Sequence, residues 1–130
     1  MAGMLEHVNI TVSDPEATAL WLRDVFGWKL RWKGTAIHGG TTYHVGNETS
    51  YLAIYSRGGA AKRFENDYRT VGGLNHVGIA VEDLDAIEQR VLQHGFQTHS
   101  HADYEPGRRF YFDDGDGIEF EVVSYANKAA

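Results

Sequence analysis

The sequence predicts an α+β protein built from two βαβββ half-units that together form an eight-stranded curved mixed sheet around a concave cleft. Three observations carry this. A phrase recurs along the chain, each copy opens in strand-like alternation, and each copy then meets a helix-start signal. His7-Val8-Asn9-Ile10-Thr11-Val12-Ser13-Asp14 aligns with His76-Val77-Gly78-Ile79-Ala80-Val81-Glu82-Asp83. A spacing of that length is too long for a solenoid repeat and suits a duplicated half-domain.

In the opening strands, Val8, Ile10 and Val12 alternate with His7, Asn9 and Thr11, and Val77, Ile79 and Val81 alternate with His76, Gly78 and Ala80. Period-two alternation marks a strand with one face buried. Asp14 is a natural N-cap followed by Pro15, and Trp21, Leu22, Val25 and Phe26 fall at helical spacing before Gly27. In the second copy Asp83 caps, Leu84, Ile87 and Val91 form the stripe, and Gly95 closes the helix. Three extended segments follow each helix: 28–33, 36–45 and 51–56, then 96–100, 108–113 and 118–124. The half-units span about 4–57 and 74–125 of a single domain covering 1–130. The glycine- and charge-rich linker at 58–73 is a possible flap.

Composition narrows the function. Twelve Lys and Arg against 18 Asp and Glu leave a net charge of −6, and the basic residues are scattered, so nucleic acid is not an expected partner. No apolar run approaches the ~18 residues of a membrane span. The first residues lack a secretory pattern, so a cytoplasmic location is expected. The chain has no cysteine, so any metal must be held by His, Asp or Glu.

Strand parity sorts the faces. If the Val and Ile faces pack beneath the helices, His7 and His76 lie on the opposite face. The same parity adds Glu119 and Glu121 from 118–124, Arg109 and Tyr111 from 108–113, and Tyr51, Ala53 and Tyr55 from 51–56. Two imidazoles and one carboxylate form a facial metal triad with positions open to substrate.

The paired units, with "HVNITVSD", "NHVGIAVEDLDA" and "FYFDDGDGIEFEVVSY", resemble the vicinal oxygen chelate superfamily. That superfamily holds glyoxalases, fosfomycin-resistance enzymes, extradiol dioxygenases, epimerases and bleomycin-binding proteins. The resemblance implies one divalent metal ion (Zn, Ni, Mn, Fe or Co) on His7, His76 and Glu121. Glu121 is preferred to Glu119 because it lies four residues after the glycine of the Asp116-Gly117 turn. It also implies that Tyr111 contacts a small-molecule substrate, and that the chain forms a homodimer. Arg109 is a candidate for an anionic substrate group. His44, with His99 and His101, is a candidate substrate-binding or supporting group. The further ligand of the glyoxalase I branch falls at Ala53, which cannot bind metal.

The resulting expectation is a metal enzyme of glyoxalase-like lyase or isomerase type that stabilises an enolate or alkoxide. Glu121 and Tyr111 would be its catalytic residues. The alternatives are a ring-cleaving extradiol-type dioxygenase and a metal-free drug-sequestering protein. In the last, the aromatics Trp21, Trp28, Trp32, Tyr51 and Tyr55 would matter most.

Overall fold

A computed structural model describes residues 1–59, 62–105 and 107–126, so positions 60 and 61 of the expected linker lie outside the described residues. The chain divides into two compact units, Met1–Lys62 and Arg63–Ala130. The first unit contains β1 (His7–Thr11), α1 (Pro15–Phe26), β2 (Lys29–Thr35), β3 (Thr41–Gly46) and β4 (Tyr51–Ser56). The second contains β5 (Val77–Ala80), α2 (Leu84–Gln93), β6 (Thr98–Tyr104), β7 (Gly107–Asp113) and β8 (Glu119–Ser124). Each unit is the expected βαβββ.

The eight strands form two mixed sheets of four, one per unit, with orders β1-β4-β3-β2 and β5-β8-β7-β6. β1 runs parallel to β4 and β5 runs parallel to β8, and the other pairs are antiparallel. The registers match between copies. Asn9 sits opposite Ala53 in the first sheet, and Gly78 sits opposite Glu121 in the second. Ala53 is therefore the first unit's counterpart of Glu121.

The caps form as read. The Asp14 carboxylate accepts from the Ala17 amide and Asp83 accepts from Ala86, each satisfying an otherwise orphaned helix donor. Gly27 ends α1 at φ 70°, a conformation that costs other residues a Cβ clash.

α1 buries Leu22 and Val25 over a sheet face carrying Ile10, Val45, Leu52 and Ile54. α2 buries Val91 and Ile87 over Phe110, Phe112, Phe120 and Val122. The Phe112 and Phe120 rings stack at 5.2 Å, and each fully buried phenylalanine is worth about 1.5–3 kcal/mol.

Local departures have local causes. Val8 is exposed rather than buried, because α1 packs over β2, β3 and β4 and leaves the edge strand β1 partly uncovered. The segment 36–45 is not one strand. His38 and Gly39 take φ 60° and 70°, forming a single 3₁₀ turn at Ile37–Gly39, and the Tyr55 hydroxyl donates to the Ile37 carbonyl at 2.7 Å. Two bulges also arise. Arg31 is the extra residue between the Leu30 and Trp32 pairings, and Ser100, at φ 55°, lies in the break between His99 and Ala102.

Candidate metal and substrate site

In the second unit, the face opposite α2 brings four expected residues together. β8 and β7 pair Glu121 directly with Tyr111, and β5 ends the other side with His76 preceding Val77. His76 Nε2 lies 3.2 Å from Glu121 Oε1. The other oxygen, Oε2, accepts from Arg109 Nη1 at 2.8 Å and from the Tyr111 hydroxyl at 3.0 Å. Arg109 and Glu121 are both largely withdrawn from solvent. Gly78 supplies the room, since even an added Cβ there would stand 3.9 Å from Glu121 Oε1.

The electrostatics follow from these contacts. Burial works to raise the Glu121 pKa, but the hydrogen bonds from Arg109 and Tyr111 and the nearby charges of Arg109 and His76 outweigh it, so it falls below the ordinary carboxylate value. Burial and the bond to Glu121 push the Tyr111 phenol up. Arg109 donates its second terminal nitrogen to the Gly107 carbonyl and lies over the Tyr104 ring at 4.8 Å, while its Nε is buried without a hydrogen-bond partner.

His76 Nδ1 is 2.7 Å from the Asn75 side-chain oxygen. That oxygen is an acceptor, so Nδ1 carries the proton and the neutral ring presents its Nε2 lone pair to a carboxylate oxygen. Two electron-rich atoms at 3.2 Å need a proton or a cation between them. The donor set of this corner therefore fits a divalent metal.

Glu119, the rival carboxylate, has a different fate. Its side chain is buried, and the Tyr68 hydroxyl stands 2.7 and 2.6 Å from its two oxygens. Tyr68 adopts φ 59°, held by the Asn66 side chain on its amide, and its pKa is pushed up to about 12, chiefly by the bond to Glu119. This segment of the expected flap borders a cavity of about 620 Å³ that also meets Phe64, His99, Asp113 and Asp116. Sequence reasoning missed Tyr68. The only local signal is Asn66-Asp67, residues that favour turns.

The two other second-unit histidines separate. His99 stays beside Tyr111 at 6.2 Å between rings, whereas the bulge turns His101 to the helix side, where Nε2 meets Glu88 at 2.6 Å and the ring lies against Phe110. His101 therefore does not join the face that holds His76 and Glu121.

In the first unit, His7 and His44 occupy the face opposite α1. Four rings, one from each strand, run across it. His7 stacks on Tyr51 at 4.9 Å, Tyr51 on His44 at 4.6 Å, and Trp32 meets His44 at 5.1 Å. The bulged Arg31 lies 4.5 Å over Tyr51. Desolvation first, then the charges of His7 and Arg31, lowers the His44 pKa. His7 Nδ1 lies 2.9 Å from Glu6, whose pKa that bond lowers. Of the other expected aromatics, Trp21 is buried in the helix core and Trp28 packs on Phe26. Within each unit, among the described residues, no three His, Asp or Glu side chains gather closely enough to hold a metal ion.

A family model for the Glyoxalase/Bleomycin resistance protein/Dioxygenase superfamily matches residues 4–122. The chain belongs to this superfamily. No curated protein matches the sequence. Solved structures of superfamily type do. A glyoxylase/bleomycin resistance protein/dioxygenase domain from Frankia sp. EAN1pec is 23% identical with a TM-score of 0.80, covering 95% of this chain and 98% of that one. The fosfomycin resistance protein FosX of Listeria monocytogenes is 19% identical with a TM-score of 0.75, covering 95% and 94%. TnmS3, an antibiotic binding protein from Streptomyces sp. CB03234, is 17% identical with a TM-score of 0.72, covering 95% and 96%. At these identities the structures share the fold. Among the described residues, no helix is long and apolar enough to cross a membrane.

Proposed function

We propose that the chain is a divalent-metal enzyme acting on a small oxygenated substrate, with His7, His76 and Glu121 as the metal ligands. The observation that carries this reading is the pairing of the His76 Nε2 lone pair with Glu121 Oε1 at 3.2 Å. FosX, of the same fold, has been solved with Mn(II) and 1S,2S-dihydroxypropylphosphonic acid. The cation would supply Lewis acidity toward two neighbouring substrate oxygens. Tyr111 holds Glu121 through its hydroxyl and faces the same space, so it is placed to orient the substrate. Arg109 fixes the Glu121 carboxylate and keeps an unspent Nε donor, suited to an anionic substrate group. His44, with its depressed pKa, is available as a neutral hydrogen-bond acceptor. The reaction class that fits is a glyoxalase-like lyase or isomerase step through an enolate or alkoxide, carried out by a homodimer. Elemental analysis followed by assay on dicarbonyls, catechols and epoxides tests it. Turnover that requires divalent metal and is lost with His76→Ala is expected. Metal-independent turnover overturns the reading.

A second reading has its own observation. The His7–Tyr51–His44–Trp32 ring series, ending in an exposed Trp32, is a flat π surface on which a planar aromatic ligand could stack without metal.

A further inference from the structure

The residue immediately before each repeated histidine carries a side-chain acceptor, and in both copies that acceptor engages the same ring atom. Glu6 Oε1 lies 2.9 Å from His7 Nδ1, and Asn75 Oδ1 lies 2.7 Å from His76 Nδ1. A carboxylate and an amide oxygen can only accept, so each ring carries its proton on Nδ1 and leaves Nε2 bare. Free imidazole in water has no such fixed assignment, because which nitrogen is protonated is set by the bond the other makes.

Both acceptors are themselves anchored. Glu6 Oε1 also accepts from the Tyr51 hydroxyl at 3.3 Å, and Tyr51 is the register partner of His7 on the neighbouring strand. The Asn75 carbonyl accepts from the Asn66 side chain at 2.6 Å, which ties it to the turn that presents Tyr68. Different contacts thus hold equivalent acceptors in the two copies.

We infer that Glu6 and Asn75 are positioning residues that lock His7 and His76 in the tautomer whose Nε2 can bind a divalent cation. The inference rests on the metal reading above and adds two residues to it. The two locks differ in strength. Glu6 is anionic and makes the stronger, charge-assisted bond, while Asn75 is neutral. Partners of this kind orient ligating histidines, and their loss weakens metal binding by about 10–100-fold.

The test uses the full chain. Nitrogen-15 imidazole spectra of the metal-free protein should show His7 and His76 protonated at Nδ1. Glu6→Ala and Asn75→Ala should each abolish that preference at the adjacent ring alone. Mn(II) affinity should fall about 10–100-fold in each alanine variant. Glu6→Gln and Asn75→Asp, which keep an acceptor, should restore both the tautomer and the affinity. Circular dichroism unchanged across the set excludes misfolding. Unaltered tautomers in the alanine variants, or Mn(II) affinity equal to that of a metal-binding wild type, would overturn this inference alone. A wild type with both tautomers locked that takes up no Mn(II) would overturn the metal reading instead.

Discussion

Arg109 and Glu121 form a largely buried pair on adjacent strands, with Nη1 2.8 Å from Oε2 and both side chains 13% exposed. Removing one member of such a pair leaves an uncompensated charge in a low-dielectric site, a larger loss than the pair's own net worth. Arg109→Met should therefore destabilise the second unit by about 3 kcal/mol in urea denaturation. Arg109→Met combined with Glu121→Leu should recover most of that loss. Equal stabilities for wild type and the single variant would contradict the pairing.

Tyr68 withholds Glu119 from the site. It is the partner of a buried carboxylate, and an unsatisfied buried acceptor costs about 1–3 kcal/mol, more when charged. Tyr68→Phe should lower stability by about that amount. Adding Glu119→Gln should restore part of it, because the charge is gone. A Tyr68→Phe variant as stable as wild type would show that the contact contributes nothing.

Asp114 gives a pH signature. Burial, the largest cause, raises its pKa from 3.8 to about 6, against the opposing hydrogen bonds from the Ile118 and Asp116 amides. The folded state thus binds this proton more tightly than the unfolded state. The ionised group opposes folding above about pH 6, and that opposition fades as pH falls toward 4. Asp114→Asn keeps Oδ1 for both amides and removes the charge. It should stabilise the protein by on the order of 2 kcal/mol at pH 8 and by nothing measurable at pH 4. A variant equally destabilised at both pH values would contradict this.

The second functional reading has a separate readout. A planar aromatic ligand seated on the ring series should quench tryptophan fluorescence in metal-free protein, and Trp32→Ala should abolish the change. Trp21 and Trp28, packed at the helix, serve as an internal reference. Quenching that survives Trp32→Ala would place the ligand elsewhere.

The repeat, the two helix caps and the faces of most strands were legible in the sequence because each rests on local chemistry. Asp14 and Asp83 cap the turns that directly follow them, and Ile10, Ile54, Phe110 and Val122 are buried where alternation put them. Long-range pairings and unexpected backbone conformations were not legible. Ser100 at φ 55° breaks the alternation of β6 and sends His99 and His101 to opposite faces, although a serine gives no warning of it. Tyr68 reaches Glu119 across 51 positions, a bond no local pattern announces. Glu6 and Asn75 stood in plain view beside the repeated histidines. Their difference in type hid what they share, which is an acceptor oxygen aimed at Nδ1.

Mn(II) titration calorimetry on wild type beside His76→Ala and Glu121→Ala tests the central claim most directly. The account predicts one saturable site per chain in the wild type, lost in both variants while each stays folded. No uptake by the wild type, or uptake unchanged when either side chain is removed, would contradict it.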